Sequence, residues 1–328
     1  MRVSAICIGI VALSAGSASP ALAQRFPFER SFDVSGPSTL DVSTIRGKIE
    51  VTHGEPGRIV VVGTATVRVG NVPADAVELA RKVAANPPIQ REGQTIKLRP
   101  PTDAAEQRAV TVSYQVRVPP DAEVTTVSDS GATSVRGVSR AVVIRTQSGA
   151  IEVTQLGGTA AITTGSGEVT VGDVAGSLTV TTSSSSVTAR SVGGNLRIRT
   201  SSGAVEATLS GEGDADVETG SSAIRLSGLR GGVLAATQSG RVLLNGVPRR
   251  DWIASAGSSS VDVTVASPIA FTIDATSGSG SVKVTGATVE GSVSKRRVAG
   301  AIAGGGPRMQ LGSRSGSIVV RVGAPTHQ

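Results

Sequence analysis

A four-residue tract, Thr-x-Ser-Gly or a near variant, returns along this chain at an almost constant interval, and two aliphatic residues separated by one follow each copy. The copies begin at Ser128, Thr146, Thr164, Thr182, Thr200, Thr219, Thr237 and Ala256, so successive intervals are 18, 18, 18, 18, 19, 18 and 19 residues. Looser copies start at Ser277 and Ser313, and an early one starts at Thr44. A unit of that length cannot bury an apolar face alone, so it has to stack on its neighbours as a solenoid.

The unit itself reads as two short strands and two turns. Four and two positions before the Thr slot sit pairs such as Val142 and Ile144, Leu178 and Val180, or Leu196 and Ile198. Five and seven positions after it come Ile151 and Val153, Val169 and Val171, or Val205 and Ala207. Alternation with period two predicts a half-buried strand on each side of the slot. Between them the Ser-Gly pair predicts a turn in which Gly supplies a positive φ, and Gly157-Gly158, Gly193-Gly194 or Gly231-Gly232 mark a second corner. The expected fold is therefore all-β, a single-stranded parallel β-helix or β-solenoid with coils of about 18 residues. Ten such coils make a rod on the order of 50 Å long. The Thr and Ser slots are expected to form a column of hydroxyls along its edge that bond neighbouring turns.

Only 2% of the 328 residues are aromatic while glycines number 41, which suits a narrow interior lined by Val, Ile, Leu and Ala. At the N-terminus Arg2, the apolar run Ile6 to Leu13 and Ala21-Leu22-Ala23 before Gln24 read as a cleavable secretory signal over residues 1–23. The cleavage residues are Ala21 and Ala23, with Gln24 as the new N-terminus. The only cysteine, Cys7, lies inside that signal, and the stretch before it is too short for a lipoprotein signal. No later stretch approaches the roughly 18 apolar residues of a membrane-spanning helix. Export to the periplasm, the medium or the cell surface is expected.

Loss of Arg2 leaves 31 basic against 25 acidic residues, a net charge of +6. A basic exported rod favours anionic partners, such as an anionic surface, an acidic glycan or an envelope component. The anion-binding candidates are Arg249-Arg250 and Lys295-Arg296-Arg297. Sequence-specific nucleic-acid recognition is disfavoured by the shortage of aromatics and the lack of a helix-turn-helix or zinc spacing.

Between Thr44 and Ser128 the period breaks. Strands are expected at Ile59 to Val69 and Val110 to Val118, and one short helix from Ala74 to Ala85 with Val77, Ala80, Val83 and Ala84 on one face. Residues 24–125 thus read as an N-terminal β-rich cap with the first coil, and 126–328 as the repeats.

The signal, the tract Tyr114 to Pro119 leading into the repeats, the Thr-x-Ser-Gly-x-Ile-x-Val units and the closing Gly304-Gly305-Gly306-Pro307 to Val320 together resemble the DUF4097 family of bacterial β-strand-repeat proteins, which carry an adhesin label. The resemblance covers nearly the whole mature chain. It implies an exported β-helical protein with an adhesive or envelope role, and no catalytic residues to carry over.

Chemistry-bearing patterns are sparse. A polysaccharide-cleaving β-helix needs carboxylates clustered on one outer face. The outward column of the second strand reads Ser134, Glu152, Thr170, Thr188, Glu206, Arg225, Leu243, Asp262, Lys283 and Val319, with no two acids adjacent. Arg197 falls one coil below Asp216, and Arg199 one coil below Glu218, which points to structural ion pairs. Glu212, Asp214, Asp216 and Glu218 form the densest acidic spot, a candidate Ca²⁺ site that lacks the Gly-Gly-x-Gly-x-Asp repeats of calcium rolls. His53 and His327 are remote from each other, and no phosphate loop or other cofactor motif is present. Trp252 occupies an inward slot and reads as core. The chain is therefore expected to be a non-enzymatic interaction rod. A polysaccharide-active lyase or hydrolase and a structural envelope component that self-associates through the solenoid ends stand as alternatives.

Overall fold

A computed structural model describes residues 24–70, 72–266 and 269–323. The signal with Arg2, Cys7, Ala21 and Ala23 lies outside the described residues, as does His327. Each Thr slot pairs in parallel register with the slot of the next coil: Ser128 with Thr146, Thr146 with Thr164, Thr164 with Thr182, and so on to Ala256. Two sheets result, of 14 and 15 strands. Twelve strands of each run parallel, one per coil, so there are twelve coils rather than ten. Inward Val, Ile, Leu and Ala from both sheets form one continuous apolar core.

The Thr slot belongs to that core. It continues the inward series of its strand, as in Leu196, Ile198, Thr200, and Thr200 is only 7% exposed. Its Oγ1 accepts the Gly203 N–H at 3.0 Å, and the same bond recurs from Gly131 to Ser128 at 2.9 Å and from Gly240 to Thr237 at 3.0 Å. In several coils the hydroxyl also donates, Thr219 to the Gly203 carbonyl at 3.1 Å and Thr237 to the Ser222 carbonyl at 3.2 Å. The hydroxyl column is thus interior, because each buried hydroxyl has turn backbone to satisfy it. It does not line the edge as expected.

The reason for glycine in that turn also differs from the expectation. Gly203 does not have a positive φ; a Cβ there would overlap the carbonyl oxygen of Ser185 in the coil below. Close stacking selects glycine. Gly167, in the turn of the Thr164 copy, does take the expected positive φ, 135°, but the recurrent positive φ lies at the second corner, at Gly137, Gln155, Asp173, Ser191 and Gly228, with φ of 75°, 57°, 54°, 55° and 70°. The extra residue bends the strand so that Val138, Leu156, Val174, Val192 and Leu229 turn inward and are buried. The Val205–Leu209 strand lacks this extra residue, and its ladder with Val187–Val192 shifts register there.

Chain order and spatial order part at both ends. The coil made of Thr39–Thr44 and Ile49–His53 lies between the 123–136 coil and an outer coil made of Thr95–Leu98 and Val110–Val118. At the other end, the coil of Arg308–Ser313 and Ile318–Val322 slots between the 252–265 coil and the 271–285 coil. The Ser277 and Ser313 coils are therefore stacked in the reverse of their sequence order. Antiparallel strands close the ends: Arg58–Val67, Arg25–Asp33 and Ile89–Glu92 on one, Arg297–Ile302 and Glu290–Val293 on the other. The N-terminal cap holds two helices rather than one. Helix α1, Ala76–Ala85, buries Ala76, Ala80, Val83 and Ala84, with Ala76 taking the place expected for Val77. Helix α2, Ala104–Ala109, is capped by Asp103 and joined to α1 by a 2.9 Å pair between Lys82 and Glu106.

Candidate functional site

The C-terminal end is where charge is unbalanced. Residues 271–323 carry seven basic side chains, Lys283, Lys295, Arg296, Arg297, Arg308, Arg314 and Arg321, against two acidic ones, Asp274 and Glu290, a net of +5. Residues 24–270 carry 24 basic against 23 acidic, a net of +1. The fold then concentrates part of that charge on the tip. The turn between Glu290–Val293 and Arg297–Ile302 lies over the last coil, where the Lys295 carbonyl accepts the Val282 N–H and the Arg296 carbonyl accepts the Ser277 N–H, both at 2.9 Å. The backbone of Lys295 and Arg296 is thereby spent on closing the solenoid, and both side chains stay exposed.

Asp274 faces Arg297 at 3.5 Å and Arg308 at 3.3 Å. Asp262, which the outward column places on the 14-stranded sheet, is nearly covered, with Arg241 at 2.9 Å, Arg321 at 3.5 Å and the Ser260 hydroxyl donating at 3.0 Å. Each carboxylate thus serves two arginines. Among the described residues, Lys283, Lys295, Arg296 and Arg314 have no carboxylate within ion-pair distance.

The other expected basic pair is placed differently. Arg249 reaches Glu212 at 2.6 Å and Arg250 reaches Asp214 at 2.7 Å, spanning two coils along the second corner. Asp214 also accepts the Gly232 N–H at 2.6 Å. Here the structure joins a candidate anion site to half of a candidate cation site, and the two neutralise each other. The remaining acids lie on the strand face: Asp216 with Arg197 at 3.2 Å and Arg199 at 2.7 Å, Glu218 with Arg199 at 3.3 Å. Arg197–Asp216 and Arg199–Glu218 are the cross-strand pairs expected from the repeat register, and the Arg199–Asp216 contact adds a diagonal between them. No group of three or more His, Cys, Asp or Glu converges as a metal site among the described residues. Trp252 is fully buried and donates its Nε1–H to the Gly231 carbonyl at 3.0 Å, as a core residue should. The Arg249–Glu212 and Arg250–Asp214 pairs escaped the sequence reading. Their separations of 37 and 36 residues, two repeat periods, were the available signal.

Two open troughs follow the sheet faces. One, of about 570 Å³ on the 14-stranded sheet, includes Lys48, Arg136, Glu50, Glu152 and Glu168 in its lining. The Lys48 hydrogen bond holds the Glu50 carboxyl below its ordinary value. The other runs on the 15-stranded sheet beside the Ser-Gly turns, as adjoining cavities of about 850, 540 and 270 Å³ that all include Ser255. Thr163, Thr181 and Gln238 line it, and Arg297 and Arg314 flank its outer end.

The sequence model of the family described as Toastrack DUF4097 matches residues 174–321. No curated protein matches the chain. Among solved structures, a "putative adhesin" from Bacteroides fragilis is 14% identical, covers 90% of this chain and 96% of its own, and has a TM-score of 0.30. A "putative adhesin" from Parabacteroides distasonis is 10% identical with the same coverages and a TM-score of 0.31. A "putative cell adhesion protein" from Clostridium sporogenes is 10% identical, covers 90% of this chain and 99% of its own, and has a TM-score of 0.23.

Proposed function

We propose that this chain, which belongs to the Toastrack DUF4097 family over residues 174–321, is an exported, non-enzymatic interaction rod that holds an anionic partner at its basic C-terminal end. The observation that carries this reading is the concentration of net charge, +5 in residues 271–323 against +1 in residues 24–270. A binding surface spread evenly along the rod, the simpler expectation from overall charge, gives way to a polarised one. Arg249 and Arg250 drop out because their carboxylate partners already satisfy them. Lys295 and Arg296 stay in because the end-closing turn spends only their backbone.

Export rests on Arg2, the Ile6 to Leu13 run and the Ala21-Leu22-Ala23 site, and Gln24 should be the first residue of protein recovered from the envelope or medium. Against catalysis stands the geometry of the acids: Asp262, Asp274, Asp214 and Asp216 each face arginine. No helix among the described residues is long and apolar enough to cross a membrane.

The test is sedimentation of the mature protein with phosphatidylglycerol vesicles across a salt series. Binding should fall several-fold between low and physiological ionic strength, since screening acts within about 10 Å at 0.1 M. The double variant Lys295→Glu, Arg296→Glu should weaken it at least tenfold, while Arg249→Glu, Arg250→Glu should change it less than the tip variant does. Equal losses from both variants, or salt-insensitive binding, would overturn the reading.

A further inference from the structure

The trough on the 15-stranded sheet runs parallel to the rod axis and ends at the basic tip. Its outward column passes from Thr163 through Arg199 and Ser255 to Thr276, eight coils in spatial order. At one strand spacing per coil that is roughly 34 Å. Hydroxyls and an amide from Thr163, Thr181, Ser255, Thr276 and Gln238 offer both donors and acceptors along its length. Its charged groups are Arg199, Arg297 and Arg314 against Glu218 and Asp274, whereas the trough on the opposite sheet has Glu50, Glu152 and Glu168 against Lys48 and Arg136. Two troughs of similar build thus carry opposite charge.

Resting on the reading of the tip as an anion-binding end, we infer that this trough is the binding track of a linear acidic polysaccharide, whose chain lies along the rod and whose carboxylates reach the arginines at the outer end. The occupant has to be extended, because the cavities adjoin in a line and none is enclosed. It has to be hydroxylated, because the polar lining between the charges is Thr, Ser and Gln, set among small residues and the half-exposed Ile253, with no aromatic ring on which a planar group stacks. It has to be acidic, because Arg314 has no carboxylate partner among the described residues and an arginine fork binds carboxylate in two-point geometry. A flat lipid surface meets only the tip.

Oligogalacturonates of defined length provide the probe, with binding measured by titration calorimetry. A decasaccharide should bind at least tenfold tighter than a trisaccharide. Gly312 lies in the trough, and a Cβ there meets no atom within 4 Å, so Gly312→Tyr fills the path while leaving the fold intact, which its melting curve verifies. That variant should lose at least tenfold for the decasaccharide and keep its binding to phosphatidylglycerol vesicles. Arg314→Ala should lose affinity for both oligosaccharide lengths. Affinity independent of length, or full binding by Gly312→Tyr, overturns the track. A wild type that binds the vesicles but no oligogalacturonate overturns the track and leaves the tip reading standing; failure to bind either probe overturns both.

Discussion

From the 123–136 coil to the 252–265 coil, every turn of this solenoid stacks on the turn that precedes it in sequence; at both ends it does not. The first coil of the chain, 39–53, and the last, 308–322, are each clamped between two others. The difference shows that coils sharing a slot and an inward pattern are interchangeable in register. Ser313 sits against both Ala256 and Ser277 in the same column. Chain ends fray readily unless tied down. Here the sequence-terminal coils are paired on both sides, and the outermost ladders are closed by antiparallel strands.

The middle should be the less forgiving region. Ile198→Asp puts an unpaired charge into the fully buried core, a loss of about 4 kcal/mol or more that should abolish cooperative melting. Thr170→Asp, at an outward position of the opposite sheet, should leave the melting curve close to wild type; equal damage from the two would undo the inside and outside assignment.

The clamp at the C-terminal end is tested next. Ending the chain after Pro307 removes the inserted coil and strands the 271–285 coil without its parallel neighbours. Amide exchange over Val261–Val265 and Phe271–Ser277 should speed up at least tenfold, with the middle coils unchanged. Unchanged protection would mean that the 271–285 coil restacks directly on its sequence predecessor, and that insertion is no lock.

A smaller contrast uses glycine. Gly203→Ala forces a Cβ onto the Ser185 carbonyl and should cost about 2 kcal/mol, a typical overpacking loss. Gly312→Ala, at the inserted coil, has open space and should stay within about 0.5 kcal/mol of wild type. Comparable costs in denaturant titration would remove close stacking as the reason for the turn glycine.

The smallest expected effect lies in the N-terminal cap. The Asp103 carboxyl is held below its ordinary value by the Glu106 N–H first and the Ala105 N–H second. Its folded value being the lower one, the capping contribution is present above the unfolded value and is lost only as pH falls through the folded one. The Glu106 amide resonance should follow that titration, and Asp103→Asn should remove the dependence.

Much of the candidate site was legible because an 18-residue period converts sequence separation into contact. The Arg197–Asp216 and Arg199–Glu218 pairs, the inward place of Trp252 and the inner columns all follow from that arithmetic. The Arg249–Glu212 pair obeys the same arithmetic at two periods, but lengthened corners at Ser210–Asp214 and Val247–Asp251 brought its members together out of strand register.

By itself, the sequence determined the solenoid, its two strands per coil and the composition of its interior, because nearest-neighbour stacking of alike units leaves one register that buries the apolar residues. Only the tertiary structure decided that the Thr hydroxyls face inward, that Gly203 is selected by a carbonyl beneath it, and that the Ser313 coil lies inside the Ser277 coil. A local pattern is the same for every coil and cannot rank equal partners. That choice falls to the non-periodic segments between coils, whose hairpins close the ends and set Lys295 and Arg296 on the tip.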